Sequence, residues 1–366
     1  MRNTPLAILN AKIFDGFNWI YDKIVVVNEN GEVDFVDVLP TNVDFIDADG
    51  KLLVPAFTEL QVYGSGGNLF SAYPTSETLQ QMESHLKSHG TASFLACVAT
   101  NSDVVIYDCI KAAKEFRKTA NGFLGLHLEG PFLNPLKRGA HAEKYIRKAT
   151  LDEIKALLDF ADGTVRMMTI AAEVQDEAVI QYLLDSNVIL SLGHSNANFN
   201  EATQAYNLGV QTTTHLFNAM SPIHHRDPGI PTALFSHKKA LGSIIADGNH
   251  VDFEVIKFAS ALLKERLFLI TDTVSACTIG PYQHTLVGDK FVTQDGTLSG
   301  ANIQLLDAVK NCVEKCSIDL GLALKMASKI PAQLIGEQVR FGTILPGKGA
   351  NMILLNANLT LNRVFY

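Results

Sequence analysis

Four residues able to bind a metal or move a proton, Glu129, His194, His215 and Asp272, each follow a short apolar or strand-like run. Phe123 to Leu128 precedes Glu129-Gly130-Pro131, Val188 to Leu192 precedes Gly193-His194-Ser195, Thr212 to Thr214 precedes His215, and Leu267 to Thr271 precedes Asp272. One carboxylate and two imidazoles make the three-ligand set that leaves a zinc ion an open position for water, whose pKa the ion lowers to ~7. Asp272 is suited to take the proton of that water and return it to a leaving group. The chemistry implied is metal-assisted hydrolysis. Plainer readings exist for each residue: a histidine after a strand is often a hydrogen-bonded structural group, and Asp272 could cap the following helix. Spacings of 65, 21 and 57 residues put every candidate behind a strand assigned on other grounds. His127 shares its pleat parity with Glu129 and reads either as a partner of the ligands or as an interior-facing residue.

Two loops add recognition chemistry. The polar segment from Leu216 to Gly229 carries Arg226, whose rigid fork suits a phosphate or carboxylate, unless it pairs with its neighbour Asp227. Asp247-Gly248-Asn249-His250 brings a further imidazole able to hydrogen-bond a substrate oxygen.

Elements that could position these groups alternate along the chain. Eight strand-like runs (Leu53 to Tyr63, Ser93 to Ala99, Phe123 to Leu128, Val165 to Ile170, Val188 to Leu192, Thr212 to His215, Leu241 to Ala246 and Leu267 to Ile270) are interleaved with helical patterns. The helical patterns include Ser76 to His89, Asp176 to Leu184, Phe253 to Leu263 and Ile303 to Cys316. This predicts an α/β fold, a (β/α)8 barrel, whose functional residues lie at the C-terminal ends of its strands. An open doubly wound sheet is the alternative, and no GxGxxG motif opens the first helix. Short strands before Leu52 and after Gly342 predict a small β-sandwich built from both chain ends. The expected division is 1–52 and 342–366 for the sandwich and 53–341 for the barrel.

Composition restricts the partners. The chain has 366 residues and a formal net charge of −8, which argues against nucleic acid or an anionic membrane as a partner held by bulk electrostatics. An anionic ligand needs a local basic site. The apolar run Leu6 to Leu9 is too short for a signal peptide or spanning helix, and five cysteines without CxxC spacing suggest free thiols, so a cytoplasmic location is expected.

Several longer motifs carry a resemblance. His127-Leu128-Glu129-Gly130-Pro131-Phe132, Lys137-Arg138-Gly139-Ala140-His141, Gly193-His194-Ser195, Thr214 to Met220, Arg226-Asp227-Pro228-Gly229, Ile245 to Asp252 and Thr271-Asp272 occur in one order. From about Leu53 to Asn356 the chain resembles the N-acetylglucosamine-6-phosphate deacetylases of the amidohydrolase superfamily. The resemblance implies hydrolysis of the N-acetyl group of N-acetylglucosamine 6-phosphate to glucosamine 6-phosphate and acetate. It implies Glu129, His194 and His215 as metal ligands, Asp272 as acid and base, and His250 as a group polarising the acetyl carbonyl. Ala140, His141, Asn218, Ala219, Leu298, Ser299 and Gly300 match substrate-binding positions. Arg226 matches a phosphate-binding arginine that reaches in from a neighbouring subunit, so a homodimer is implied. The first strand departs from the pattern: many amidohydrolases hold a second metal with His-x-His, where this chain has Gln61-Val62-Tyr63. One divalent ion per subunit is therefore expected, zinc first, with iron, cobalt or manganese as alternatives. The usual Gly-Phe-Ile-Asp is also altered, to Ala56-Phe57-Thr58-Glu59. Competing readings are the galacto-configured 6-phosphosugar or another amidohydrolase specificity, and a non-catalytic assembly protein of the same fold.

Overall fold

Long apolar runs that bury both faces need helices on one side and a filled interior on the other. The structure, a computed structural model, describes residues 4–366, and it arranges these runs in a ring. Eight parallel strands follow one another in chain order: Phe57–Val62, Thr91–Ala99, Phe123–Glu129, Val165–Ile170, Ile189–Leu192, Thr212–Thr213, Leu241–Ile245 and Leu267–Ile270. Beyond the ends of the last and first strands, Asp272 N–H donates to Gln61 O at 3.0 Å and Tyr63 N–H to Thr273 O at 2.9 Å, closing the barrel. Helices packed outside begin at side-chain caps, such as Ser102, Thr150 and the Asn198–Glu201 capping box. No helix among the described residues is long and apolar enough to cross a membrane.

Both chain ends build the second layer pair. Leu6–Leu9, Ile24–Val27, Val33–Val36 and Asp44–Asp47 form one sheet, and Lys12–Phe14, Trp19–Ile20, Leu52–Pro55, Met352–Leu355 and Leu361–Phe365 form the other. Ile8, Ile13, Val25, Leu53, Met352 and Leu354 make a common apolar core.

Two strand assignments change. The run Leu53 to Tyr63 is two strands in two sheets: Leu52–Pro55 joins the terminal sheet and Phe57–Val62 the barrel. Pro55 has no N–H for a continuing ladder, and the chain crosses between sheets there. Thr212 to His215 shortens to Thr212–Thr213, because His215 takes a left-handed backbone with φ 32°. A three-stranded antiparallel sheet, Thr285–Val287, Lys290–Val292 and Leu298–Ala301, also lies over the mouth, without a counterpart among the predicted elements.

Candidate active site

The interior below the mouth is polar. His127, fully buried, donates from Nδ1 to Leu60 O at 3.0 Å, and its Nε2 accepts from Thr169 Oγ1 at 2.8 Å. Burial lowers its pKa to about 4, so it stays neutral. Of its two readings, it takes the interior-facing one: it belongs to a hydrogen-bonded layer with Thr169, Thr214 and Ser191.

Above this layer the strand ends turn sharply. His194, His215 and Asp272 all have left-handed backbones, at φ 47°, 32° and 56°. Such conformations cost energy in non-glycine residues and concentrate where a side chain must be aimed. Gly193 permits the first turn, because a Cβ there would meet Thr214 Cβ at 2.7 Å and Thr169 Cγ2 at 2.8 Å. His215 N–H is held by Ser243 Oγ at 2.8 Å.

The three predicted ligands converge. Glu129 Oε1 lies 3.3 Å from His194 Nε2 and 3.1 Å from His215 Nε2, and the two Nε2 atoms are 3.1 Å apart. Bonds of about 2.0–2.1 Å at tetrahedral angles put donor atoms about 3.3–3.4 Å apart, so this spacing fits a small divalent ion. Lys137 O accepts from His194 Nδ1 at 2.8 Å, which leaves the Nε2 lone pair facing the cluster. A wider grouping, Glu129, His141 and His194, keeps its donor atoms within 4.8 Å. There His141 Nε2 meets the other oxygen, Oε2, at 3.0 Å. In the Oε1 triad all three donor pairs stand at 3.1–3.3 Å, close to tetrahedral edges.

The two acids differ in charge state. Burial alone would raise the Glu129 carboxyl, but the imidazoles of His194 and His141 outweigh it and hold it well below the usual carboxylate range. Burial pushes Asp272 up to about 8, opposed by His215 and reinforced by Glu129. One carboxylate stays ionised while its neighbour can hold a proton, the division that acid–base chemistry requires. Gln61 Nε2 shares its two hydrogens among Asp272 Oδ1 at 2.7 Å, Tyr63 Oη at 3.0 Å and Glu129 Oε1 at 3.2 Å, with Asp272 the nearest acceptor. The Tyr63 hydroxyl donates in turn to Glu129 Oε2.

A single cavity is lined by Glu129, His194, His215, Asp272 and His250, and by Ala140, His141, Asn218, Ala219, Leu298, Ser299 and Gly300. His250 Nδ1 is tied to Asp247 Oδ2 at 2.6 Å, which leaves Nε2 as the free nitrogen. Arg226 is the exception. It is exposed on its loop, does not line the cavity, and forms no ion pair among the described residues, Asp227 included.

Sequence reasoning passed over four contributors. Tyr282 and His284 line the cavity from the segment leading into the covering sheet, with His284 Nδ1 2.9 Å from Ser299 Oγ. Glu173, just after the fourth barrel strand, accepts from Ser195 Oγ at 2.6 Å and Asn196 N–H at 2.8 Å, fixing the turn beyond His194. Glu59, fully buried, accepts the N–H groups of Gln61 and Thr271. The strand-end rule could have found Glu173, and the altered first-strand motif pointed to Glu59.

Comparisons with known proteins agree with this geometry. Residues 52–366 match the model of the amidohydrolase family. A Haemophilus influenzae protein named N-acetylglucosamine-6-phosphate deacetylase is 34% identical over 372 residues, covering 96% of this chain and 95% of its own. One from Escherichia coli O157:H7 named N-acetylgalactosamine-6-phosphate deacetylase is 29% identical, covering 95% and 94%. The crystal structure of N-acetylglucosamine-6-phosphate deacetylase from Pasteurella multocida superposes with a TM-score of 0.92 at 33% identity, covering 98% of this chain and 97% of that one. A barrel with ligands at its strand ends, a full-length family match and these relatives lead to one assignment: the chain belongs to the amidohydrolase family.

Proposed function

We propose that this protein hydrolyses the N-acetyl amide of N-acetyl-D-glucosamine 6-phosphate, releasing acetate and D-glucosamine 6-phosphate. The observation that carries this reading is the convergence of Glu129 Oε1, His194 Nε2 and His215 Nε2 at 3.1–3.3 Å beside Asp272 in one cavity. Relatives that share this fold over nearly their whole length act, by name, on 6-phosphorylated N-acetyl amino sugars.

A divalent ion held by Glu129, His194 and His215, zinc by donor set with iron, cobalt or manganese as alternatives, would activate water near neutral pH and polarise the acetyl carbonyl. The chain's own residues do the rest. Asp272 takes a proton from the attacking water and delivers it to the amide nitrogen as the C–N bond breaks. His250, with Nδ1 anchored on Asp247, directs Nε2 at the acetyl oxygen. Ala140, His141, Asn218, Ala219 and the Leu298–Gly300 stretch hold the sugar.

Arg226 binds the phosphate of the neighbouring subunit's substrate in this reading. An exposed apolar row, Val255, Phe258 and Leu262, supports a homodimer on that side. Phe258 packs edge-on against Phe235, in the helix that follows the Arg226 loop. The five free thiols support a reducing, cytoplasmic setting.

Acetate release from the gluco 6-phosphosugar, its galacto epimer and the unphosphorylated sugar tests the assignment. Fastest turnover of the gluco 6-phosphosugar is expected, faster turnover of the galacto compound would replace the substrate named here, and no release from any would end the hydrolase reading. Co-expressing Arg226→Ala and Asp272→Asn chains tests the shared site. Heterodimers should regain one working site, whereas no recovery would place Arg226 outside the partner's cavity.

A further inference from the structure

Backbone ladders join seven neighbouring pairs of barrel strands, but none joins Leu267–Ile270 to Phe57–Val62 among the described residues. At this seam the main-chain bonds appear only from Asp272 upward, where its N–H reaches Gln61 O at 3.0 Å. One level lower a side chain makes the connection. Glu59, fully buried, accepts Thr271 N–H on Oε2 at 3.0 Å and Gln61 N–H on Oε1 at 2.9 Å. Glu59 forms no ion pair among the described residues, so these N–H groups are its compensation for burial.

Both backbone groups that Glu59 grips lead to Asp272. Thr271 directly precedes it, at the point where the chain enters the left-handed turn of φ 56°. Gln61 reaches it through the side-chain amide, which donates to Asp272 Oδ1 at 2.7 Å. We infer that Glu59 is a positioning residue for the hydrolysis, latching the barrel seam and setting both the turn and the carboxyl orientation of Asp272. A latch acting on main chain suits this task, because an error of about 1 Å in a reacting group can cost roughly 100-fold in rate.

This inference rests on the reading of Asp272 as acid and base, and the experiment separates the two. Holoenzyme carrying Glu59→Gln, which keeps the length of the side chain but can accept through one oxygen only, is compared with Glu59→Asp, Asp272→Asn and the Glu59→Gln/Asp272→Asn pair. Glu59→Gln is expected to lower kcat about 10–100-fold with KM within about twofold and bound metal unchanged. In the Asp272→Asn background the same change should cost almost nothing, because the group it positions is already disabled. Equal losses in both backgrounds, or a loss of metal, would overturn the inference and make Glu59 a residue of the fold alone. If Glu59→Gln does not fold, Glu59→Asp carries the test: it should show the same kcat loss on a smaller scale, and wild-type kcat would overturn the inference. An Asp272→Asn enzyme with full turnover would instead remove the reading of Asp272.

Discussion

The sandwich made by the chain ends and the mouth of the barrel are both buried, yet they bury opposite kinds of groups. In the sandwich, Ile8, Ile13, Val25, Leu53, Met352 and Leu354 meet across the sheets, and the buried acid nearby, Asp15, only closes a turn by accepting Phe17 and Asn18 N–H at 2.6 Å. At the mouth, Glu59, Gln61, Glu129, His194 and His215 are buried together, beside left-handed backbones at His194, His215 and Asp272. Apolar burial stabilises by area and tolerates any side chain of similar size. Burial of acids and imidazoles costs energy but shifts their protonation, which is what catalysis uses. The sandwich thus lends stability that the mouth does not generate.

The sharpest way to break this contrast is to damage each region by one residue. Asp272→Asn should lower kcat about 10²–10⁴-fold while leaving bound metal and thermal unfolding nearly as they were. Ile8→Ala, at a fully buried sandwich position, should instead cost about 2–5 kcal/mol of stability with unchanged kcat per folded molecule. Steady-state kinetics and unfolding on both variants decide it. A stable Ile8→Ala protein with impaired kcat would mean that the sandwich takes part in the chemistry.

The same contrast governs what could be read from sequence. Strand ends announce themselves because an apolar run stops at a charged residue, so Glu129, His194, His215 and Asp272 could be placed at one mouth without coordinates. The sheet change at Pro55–Ala56 was hidden, because Leu52–Pro55 and Phe57–Val62 are adjacent apolar runs that look like one strand. Glu59 stood in the altered first-strand motif, but its role was hidden for another reason: that role exists only once Thr271, 212 residues away, lies beside it. The covering strands Thr285–Val287 and Lys290–Val292 are three residues each, too short to carry an alternation pattern. Arg226 shows the opposite limit. Its motif is plain in the sequence, but one chain leaves it outside the cavity.

Stability against pH sharpens the comparison further. Burial raises the Glu59 carboxyl from 4.5 to about 7, with its N–H partners opposing the shift. Between those values the folded protein keeps a proton there that the unfolded chain has released, so stability is greatest at the acid end and declines as pH rises through the window. At about 1.4 kcal/mol per unit the decline is about 3 kcal/mol. Urea unfolding at pH 5 and pH 8 should therefore show wild type losing about 3 kcal/mol relative to Glu59→Gln. A constant difference between the two proteins would mean that Glu59 is already ionised at the lower pH.

The smallest expected effect separates two jobs of a buried phenol. The Tyr63 hydroxyl donates to Glu129 Oε2, which also faces His141 Nε2 at 3.0 Å, while Oε1 faces His194 and His215. The two oxygens of one carboxylate thereby face different groups: Oε2 is held by Tyr63 and His141, and Oε1, with a longer contact to Gln61 Nε2 at 3.2 Å, faces the two imidazoles that would share a metal with it. Tyr206, buried on the outside of the barrel, bonds Thr213 Oγ1 at 2.6 Å and touches no ligand. Partners that orient a metal ligand typically contribute 10–100-fold to affinity, whereas an ordinary buried hydrogen bond contributes about 1 kcal/mol to folding. Tyr63→Phe should therefore weaken metal binding about 10-fold in competition with a chromogenic chelator, with one ion still bound per chain. Tyr206→Phe should lower stability by about 1 kcal/mol and leave metal affinity alone. Equal metal affinity in the two variants would mean that His141 holds Oε2 unaided, and that Tyr63 is packing in the floor of the cavity.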